Sequence, residues 1–337
     1  MREGSSVGDE NMKTAKADIV CLGELLIDMF PAEMDRRLAE VSAFHPKPGG
    51  APANVAAGLA RLGSRSAFIG KVGDDAFGRH LADVLAREGV ETRGMRFDPQ
   101  ARTTMAFIAS PDPHTNEYLF YRNPGADTRL RAEELDEALL TACKTLHFVS
   151  LSLVEEPIRS AAIRAVEIVV GTGGLVSLDV NYRPSLWSSR KAAYDAVMAV
   201  MPLVDLLKVN EVELALLTGQ EDPATGGEAL LALGPKLCVM TSGADGSYFA
   251  TTTGGGYVPA FQVKTVDATG CGDAFIAGLL SQLTAGGISS EMPGVDQMTD
   301  IVRYANATGA LAAQTQGVIP ALPSAKAVDA FLASTYS

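Results

Sequence analysis

The amino-acid sequence predicts an α/β fold: one three-layer domain with a mostly parallel central sheet covered by helices on both faces. Three observations predict it. Short apolar runs alternate along the chain with longer amphipathic ones. The short runs have the continuous apolar character of strands buried on both faces. No repeat, low-complexity tract or linker divides the 337 residues, so 18–337 reads as a single domain after a polar, charged tail at 1–17.

The strand series runs through residues 19–22, 67–70, 145–150, 175–180, 203–209 and 237–241. Helical patterns at 76–88, 155–170 and 188–201 lie between them, and this alternation is that of a parallel sheet. Two regions break the rhythm. Residues 25–46 include an extended segment after the first strand. Residues 103–122 hold two strand-like runs around the turn formers Ser110-Pro111-Asp112-Pro113-His114. Together these regions read either as a small β lid on one edge of the domain or as an ordinary hairpin excursion.

Composition narrows the function. Hydrophobic residues make up 47% of the chain, which argues against disorder. Asp and Glu outnumber Lys and Arg by 40 to 28, and the net charge of −12 disfavours nucleic acid as a partner. No apolar stretch reads as a membrane span, and the tail lacks the apolar centre of a secretory signal. The cysteines at 21, 143, 238 and 271 and the histidines at 45, 80, 114 and 147 are scattered, without metal-ligand spacing. That usage fits an enzyme of a reducing, cytoplasmic compartment.

The most informative stretch is Val266-Asp267-Ala268-Thr269-Gly270-Cys271-Gly272-Asp273-Ala274-Phe275. It follows an extended run at 257–263 and opens an apolar helix at 274–283. Gly270 and Gly272 let a ligand approach the backbone, and the free amides of a helix start favour an anion. Gly270, Cys271 and Gly272 can therefore cradle a transferring phosphoryl group. Asp273 beside that cradle suits a base that accepts a hydroxyl proton; as a residue type it suits a helix cap equally well. A thiol at a helix start, as at Cys271, is also expected to have a depressed pKa and to oxidise easily. Neither a GxxxxGK[ST] loop nor a protein-kinase motif set occurs.

Far upstream, Gly49-Gly50-Ala51-Pro52-Ala53-Asn54-Val55-Ala56 leads into a small-residue helix. Asn54 offers the donor and the acceptor that sugar hydroxyls need. On its own, the block reads as a tight turn before a helix packed through alanines.

The blocks at 49–56 and 267–275, taken in order, resemble the two signatures of the PfkB, or ribokinase-like, carbohydrate kinases. The resemblance extends from about Asp18 to Pro323. It implies a ribokinase-like three-layer domain with a small β lid, ATP and Mg²⁺ as the phosphate donor and its metal, and K⁺ as a candidate activator. It implies that Asp28, Gly49, Gly50 and Asn54 hold sugar hydroxyls, that Gly270, Cys271 and Gly272 form the anion hole, and that Asp273 is the base. Asn210 and Glu213 match the family's Asn-x-x-Glu motif, with Glu213 serving Mg²⁺ through water. Thr241, Gly243 and Gly246 match a nucleotide-binding turn, and Asn306 a helix lining the adenine pocket. Asp267 sits where relatives build a monovalent-cation site, and many relatives pair as homodimers through the lid. Cys271 departs from the alanine most relatives carry, which leaves a cradle of backbone amides unaffected.

Within the family, segments 49–56, 73–78, 121–127 and 319–323 resemble fructokinases, which implies fructose 6-phosphate as product. The alternative is 2-keto-3-deoxygluconate kinase, which shares the 179–183 type of segment and grips its substrate carboxylate with arginines at positions like Arg122 and Arg183. Fructokinases keep arginines there too, so these residues do not separate the two. A non-catalytic fructokinase-like binding protein is a third reading, disfavoured because both cradle glycines and Asp273 are intact.

Overall fold

The computed structural model describes residues 17–33, 35–112, 115–287 and 292–335. Ala17, the last residue of the expected tail, is buried; residues 1–16 of that tail lie outside the described residues, as do Pro113 and His114 of the turn.

Thirteen strands are present among the described residues. They are β1 (Ile19–Leu22), β2 (Leu26–Pro31), β3 (Phe44–Gly49), β4 (Ser66–Gly73), β5 (Glu91–Asp98), β6 (Met105–Asp112) and β7 (Thr115–Tyr121), then β8 (Thr145–Val149), β9 (Leu175–Asp179), β10 (Leu206–Asn210), β11 (Leu237–Thr241), β12 (Gly246–Thr251) and β13 (Gly254–Pro259). Nine form one sheet in the order β13-β12-β11-β10-β9-β8-β1-β4-β5, parallel from β11 to β5, with an antiparallel edge at β12 and β13. The short runs are apolar throughout because both faces are covered. Along β1, Val20 and Leu22 pack in the core with Ala161, Ala165 and Val169 of the helix Ile158–Gly171. Ile19 and Cys21 pack in the opposite core with Ala53, Ala57 and Ile276.

The other four strands form the lid, in the order β3-β2-β6-β7. The pleat divides its residues by face. Ala106, Ile108, Tyr118 and Phe120 line a cleft against the main sheet. On the other face Phe107 packs between Phe44, edge-on with ring centres 5.0 Å apart, and Tyr121, tilted at 5.3 Å.

Element boundaries differ from expectation for local reasons. The strand at 203–209 starts at Leu206, because Pro202 sits in a short 3₁₀ turn at Met201–Leu203. The extended run at 257–263 leaves the sheet at Pro259. The helix expected at 274–283 starts at Cys271, three residues early, because Gly270 at φ 79° caps it in a left-handed conformation. No helix among the described residues is long and apolar enough to cross a membrane.

Strand order reverses between β1 and β8, and in an open α/β sheet the crevice beyond the carboxyl ends at that point binds ligands. The segments that follow β1, β8, β9, β10 and β11 converge there.

Candidate active site

The first cavity, of about 210 Å³, lies between those strand ends and the inner face of the lid. The second, of about 240 Å³, lies between the β11–β12 turn and the helices Cys271–Ala285 and Val295–Ala312. Ala268 and Gly272 line both, so the two cavities meet at the start of the Cys271–Ala285 helix.

Gly270 is the N-cap, and a Cβ there would run into Val318. Asp273 is therefore the third helical residue and not the cap. The first-turn amides of Gly272 and Asp273 have no acceptor within the helix, while the Cys271 amide donates to the Ala268 carbonyl at 3.3 Å. The Cys271 side chain lines the second cavity, with its sulfur 3.8 Å from the Asp267 carbonyl. The expected low-pKa thiol is overturned. Burial pushes it up to about 12, helped by Asp267 and Asp273.

The Asp273 carboxyl is buried at the junction. Its Oδ2 accepts a 2.8 Å hydrogen bond from Asn54 Nδ2. Burial pushes its pKa up to about 6; the Asn54 bond lowers it, nearby Asp179 raises it, and Lys208 and Arg183 lower it. A carboxyl with that value is largely ionised at neutral pH and still able to take a proton.

Asp28, on β2, faces the same cleft. Burial pushes its carboxyl up to about 8, with Asp273 and Glu24 adding and Arg183 opposing. Gly50 lines the cleft at φ 106°. Gly49 does not; a Cβ there would run into Asp28 Oδ2, so its role is to leave room for that carboxylate.

The two arginines separate. Arg183 lines the cleft with its guanidinium 5.5 Å from the centre of the Tyr118 ring on the lid. Arg122 is 6% exposed and stands behind the cleft, with its Nε 2.7 Å from Asp127 Oδ2.

Asn210 and Glu213 form a reciprocal capping box. The Asn210 amide donates to Glu213 Oε2 at 2.8 Å, and the Glu213 amide to Asn210 Oδ1 at 2.9 Å. Glu213 Oε1 also accepts from the Tyr182 amide at 2.7 Å. Glu213 is buried, and both residues line the first cavity.

Thr241, Gly243, Gly246 and Asn306 line the second cavity. Asn306 is not a surface residue: it accepts from Ser247 Oγ at 2.7 Å and donates to the Val258 carbonyl at 3.1 Å, which locks its helix to the edge strands. Asp267 accepts from the Thr269 and Gly317 amides at 2.9 and 3.0 Å, tying the glycine turn to the 317 loop.

Sequence reasoning did not single out Lys208, Asp179, Asn181, Tyr118 or the side chain of Glu24 as site residues, and all line the first cavity. Lys208 bonds both oxygens of Asp179, at 3.1 and 3.2 Å, in a buried pair. Its Nζ lies 3.4 Å from where a Cβ on Gly272 would stand, beside the helix start. The available signal was a lysine inside an otherwise apolar strand run, with an aspartate ending the neighbouring one. Asn181 takes φ 42°, and its amide donates to Asp179 Oδ1 at 3.2 Å.

A buried carboxyl between a polar, carboxylate-lined cleft and a second cavity without lysine or arginine, joined at a helix N-terminus, is an arrangement that suits a phosphotransferase with a small hydroxylated acceptor. Comparison of sequences gives the family: residues 16–325 match the pfkB family carbohydrate kinases, and the chain belongs to that family. It is 44% identical to the probable fructokinase-7 of Arabidopsis thaliana, over 95% of this chain and 93% of that one. It is 40% identical to fructokinase-1 of Zea mays, over 93% and 96%. Among solved structures, the ATP-bound fructokinase of Xylella fastidiosa superposes with a TM-score of 0.85 at 31% identity, covering 95% of this chain and 99% of that one. The fructokinase of Vibrio cholerae O395 in its fructose, ADP and calcium ion bound form gives 0.84 at 34%, covering 94% and 99%.

Proposed function

We propose that this kinase transfers the terminal phosphate of ATP to the O6 hydroxyl of fructose, giving fructose 6-phosphate and ADP. The observation that carries the reading is Asp273, held by Asn54 at the meeting point of the two cavities. Fructose docks against Asp28, Gly50 and Asn54 beneath the lid. Asp273 accepts the O6 proton as the O6–P bond forms and the bond to the ADP oxygen breaks. The amides of the helix start stabilise the charge on the transferring group, and Lys208 adds a cation beside them. Lid closure keeps out water, the competing acceptor.

The second cavity suits the nucleotide. It has no carboxylate to repel phosphates, and Gly243 leaves open space above the turn. Both oxygens of Glu213 already accept backbone amides, so its donor set suits a magnesium ion held through water better than direct ligation. Magnesium bound there would offset phosphate charge. The fixed turn at Asp267 suits a potassium ion among backbone carbonyls.

We place the enzyme in the cytoplasm, on the strength of four unpaired cysteines. We also propose a homodimer through the lid, whose outer face exposes Leu119 and Tyr121. The test of activity is ATP-dependent phosphorylation of fructose beside 2-keto-3-deoxygluconate, ribose and adenosine, with Mg²⁺ and K⁺. Preference for fructose is expected. Preference for the keto acid would overturn the substrate and recast Arg183 as a carboxylate clamp. Turnover of none would overturn the kinase assignment for these acceptors.

A further inference from the structure

Val318 stands where the lid meets the phosphate cradle. It precedes the 3₁₀ turn Ile319–Ala321, is 2% exposed and lines the first cavity. On one side it packs with Phe30 of β2 and Ile108 of β6, and Tyr118 of β7 lies half-buried against them. These residues make an apolar cluster apart from the two large cores. On the other side Val318 meets Gly270, the cap of the helix Cys271–Ala285. A Cβ on Gly270 would run into Val318 Cγ1 and stand 3.0 Å from its Cβ and Cγ2.

The same loop holds the glycine turn at two more points. The Ala313 carbonyl accepts from the Val266 and Asp267 amides at 2.8 and 3.2 Å, and the Gly317 amide donates to Asp267 Oδ2 at 3.0 Å. The lid also reaches this loop a second time. Lys47 of β3 lays its stem over Gly317, with Cδ 3.7 Å from where a Cβ would stand. Residues 313–318 thus grip the turn 266–270 on one side and meet the lid on the other.

Glycine is the residue that sterics confine least, so a left-handed glycine cap gains from a support outside its own helix. The amides after it stabilise charge only where they are held still, and a shift of about 1 Å in a reacting constellation can cost about a hundredfold in rate. A β-branched side chain, stiff at χ1, suits a strut.

We propose that Val318 is a positioning residue that carries closure of the lid to the phosphate cradle. With the lid down, Phe30 and Ile108 press on one face of Val318 while its other face braces Gly270. With the lid lifted, that cluster opens and the cradle loses its brace. The transfer site is then firm only over an enclosed acceptor, and water entering an open cleft meets a loosened cradle. This rests on the phosphotransferase reading above.

The test uses the full chain, wild type beside Val318→Ala and Phe30→Ala, with Phe30→Leu as the gentler change at the same place. Phe30 does not line the sugar cavity, so an effect of its loss on the cradle is not a lost substrate contact. The amides of Val266, Thr269, Cys271 and Ala274 are all hydrogen-bonded. Without any ligand, their hydrogen exchange is expected to quicken about tenfold in each variant, with β4 at Ser66–Gly73 unchanged. Unchanged exchange at the cradle in the Phe30 variants overturns the transmission. Equal quickening at β4 overturns it too, because that is a general loss of stability. In turnover of fructose, Val318→Ala and Phe30→Ala are each expected to lower kcat about tenfold with KM within about threefold. The double variant should be about as slow as the slower single one, since both cut one path; losses that multiply overturn the link. A wild-type chain that phosphorylates none of the sugars tested would sink the phosphotransferase reading instead, and exchange in the ligand-free protein would still decide the brace.

Discussion

Replacing Asp273 by Asn should separate catalysis from stability in one variant. The amide preserves size and can still accept the Asn54 hydrogen bond of 2.8 Å, but it cannot take the sugar proton. A positioned general base contributes about 10²–10⁴ in rate, so kcat should fall by about that factor while fructose still binds. The stability effect has the opposite sign. Burial raises the folded-state pKa of Asp273 from 3.8 to about 6. The folded state thus holds a proton that the unfolded chain has released between those values. Its contribution is present below pH 3.8 and lost as pH rises through 6. The difference corresponds to about 3 kcal/mol. At pH 8 the wild type carries that cost of a buried charge and Asp273→Asn does not, so the variant should be more stable there by a figure of that order. The advantage should vanish toward pH 4. Denaturant unfolding of both proteins at the two pH values reads this directly, beside a coupled assay for ADP. A variant retaining a tenth or more of wild-type turnover would refute the base. Equal stability of the two proteins at pH 8 would refute the buried charge.

Three further expectations follow from the same geometry. Asn54→Leu removes the bond that holds the Asp273 pKa down, so the acid limb of kcat/KM, expected near pH 6, should move up by about one pH unit; an unmoved limb would separate Asn54 from the base. Lys208→Met leaves Asp179 buried and unpaired, at a cost of about 3–5 kcal/mol. Adding Asp179→Leu should recover most of that stability, and an equal loss in the single and double variants would show that the pair does not act as a unit. His147 is fully buried, with Nδ1 3.0 Å from Ser177 Oγ, and burial lowers its pKa from 6.5 to about 4. The unfolded chain takes up the proton first, so the wild type should lose about 3 kcal/mol relative to His147→Gln as pH falls from 6.5 to 4; parallel stability curves would contradict this.

The order of elements was legible because it depends on local pattern. Apolar runs such as 19–22 and 237–241 can only be strands covered on both faces, and the amphipathic stretches between them can only be their covering helices. The glycine blocks were legible for a related reason. Gly270 at φ 79° and Gly50 at φ 106° hold backbone that other residues rarely adopt, so glycine there announces a special turn. Such positions named both ends of the site, and the two motifs in order named the family.

Contacts between distant segments were not legible. Asn54 and Asp273 are 219 residues apart, and the sequence carries no sign that one amide steadies the other carboxylate. Arg122 and Arg183 look alike as residues, yet one is spent on Asp127 behind the cleft and the other lies over a lid tyrosine inside it. Cys271 stands at a helix start, where a thiol is ordinarily acidic, but its burial, helped by the carboxylates of Asp267 and Asp273, reverses the sign. Sequence by itself determined the fold class, the family and the backbone cradle, since periodicity and glycine conformation are properties of short segments. Tertiary structure alone decided which charges are buried, which are paired and which face one another, because desolvation and Coulomb energy depend on distances that only the folded chain sets.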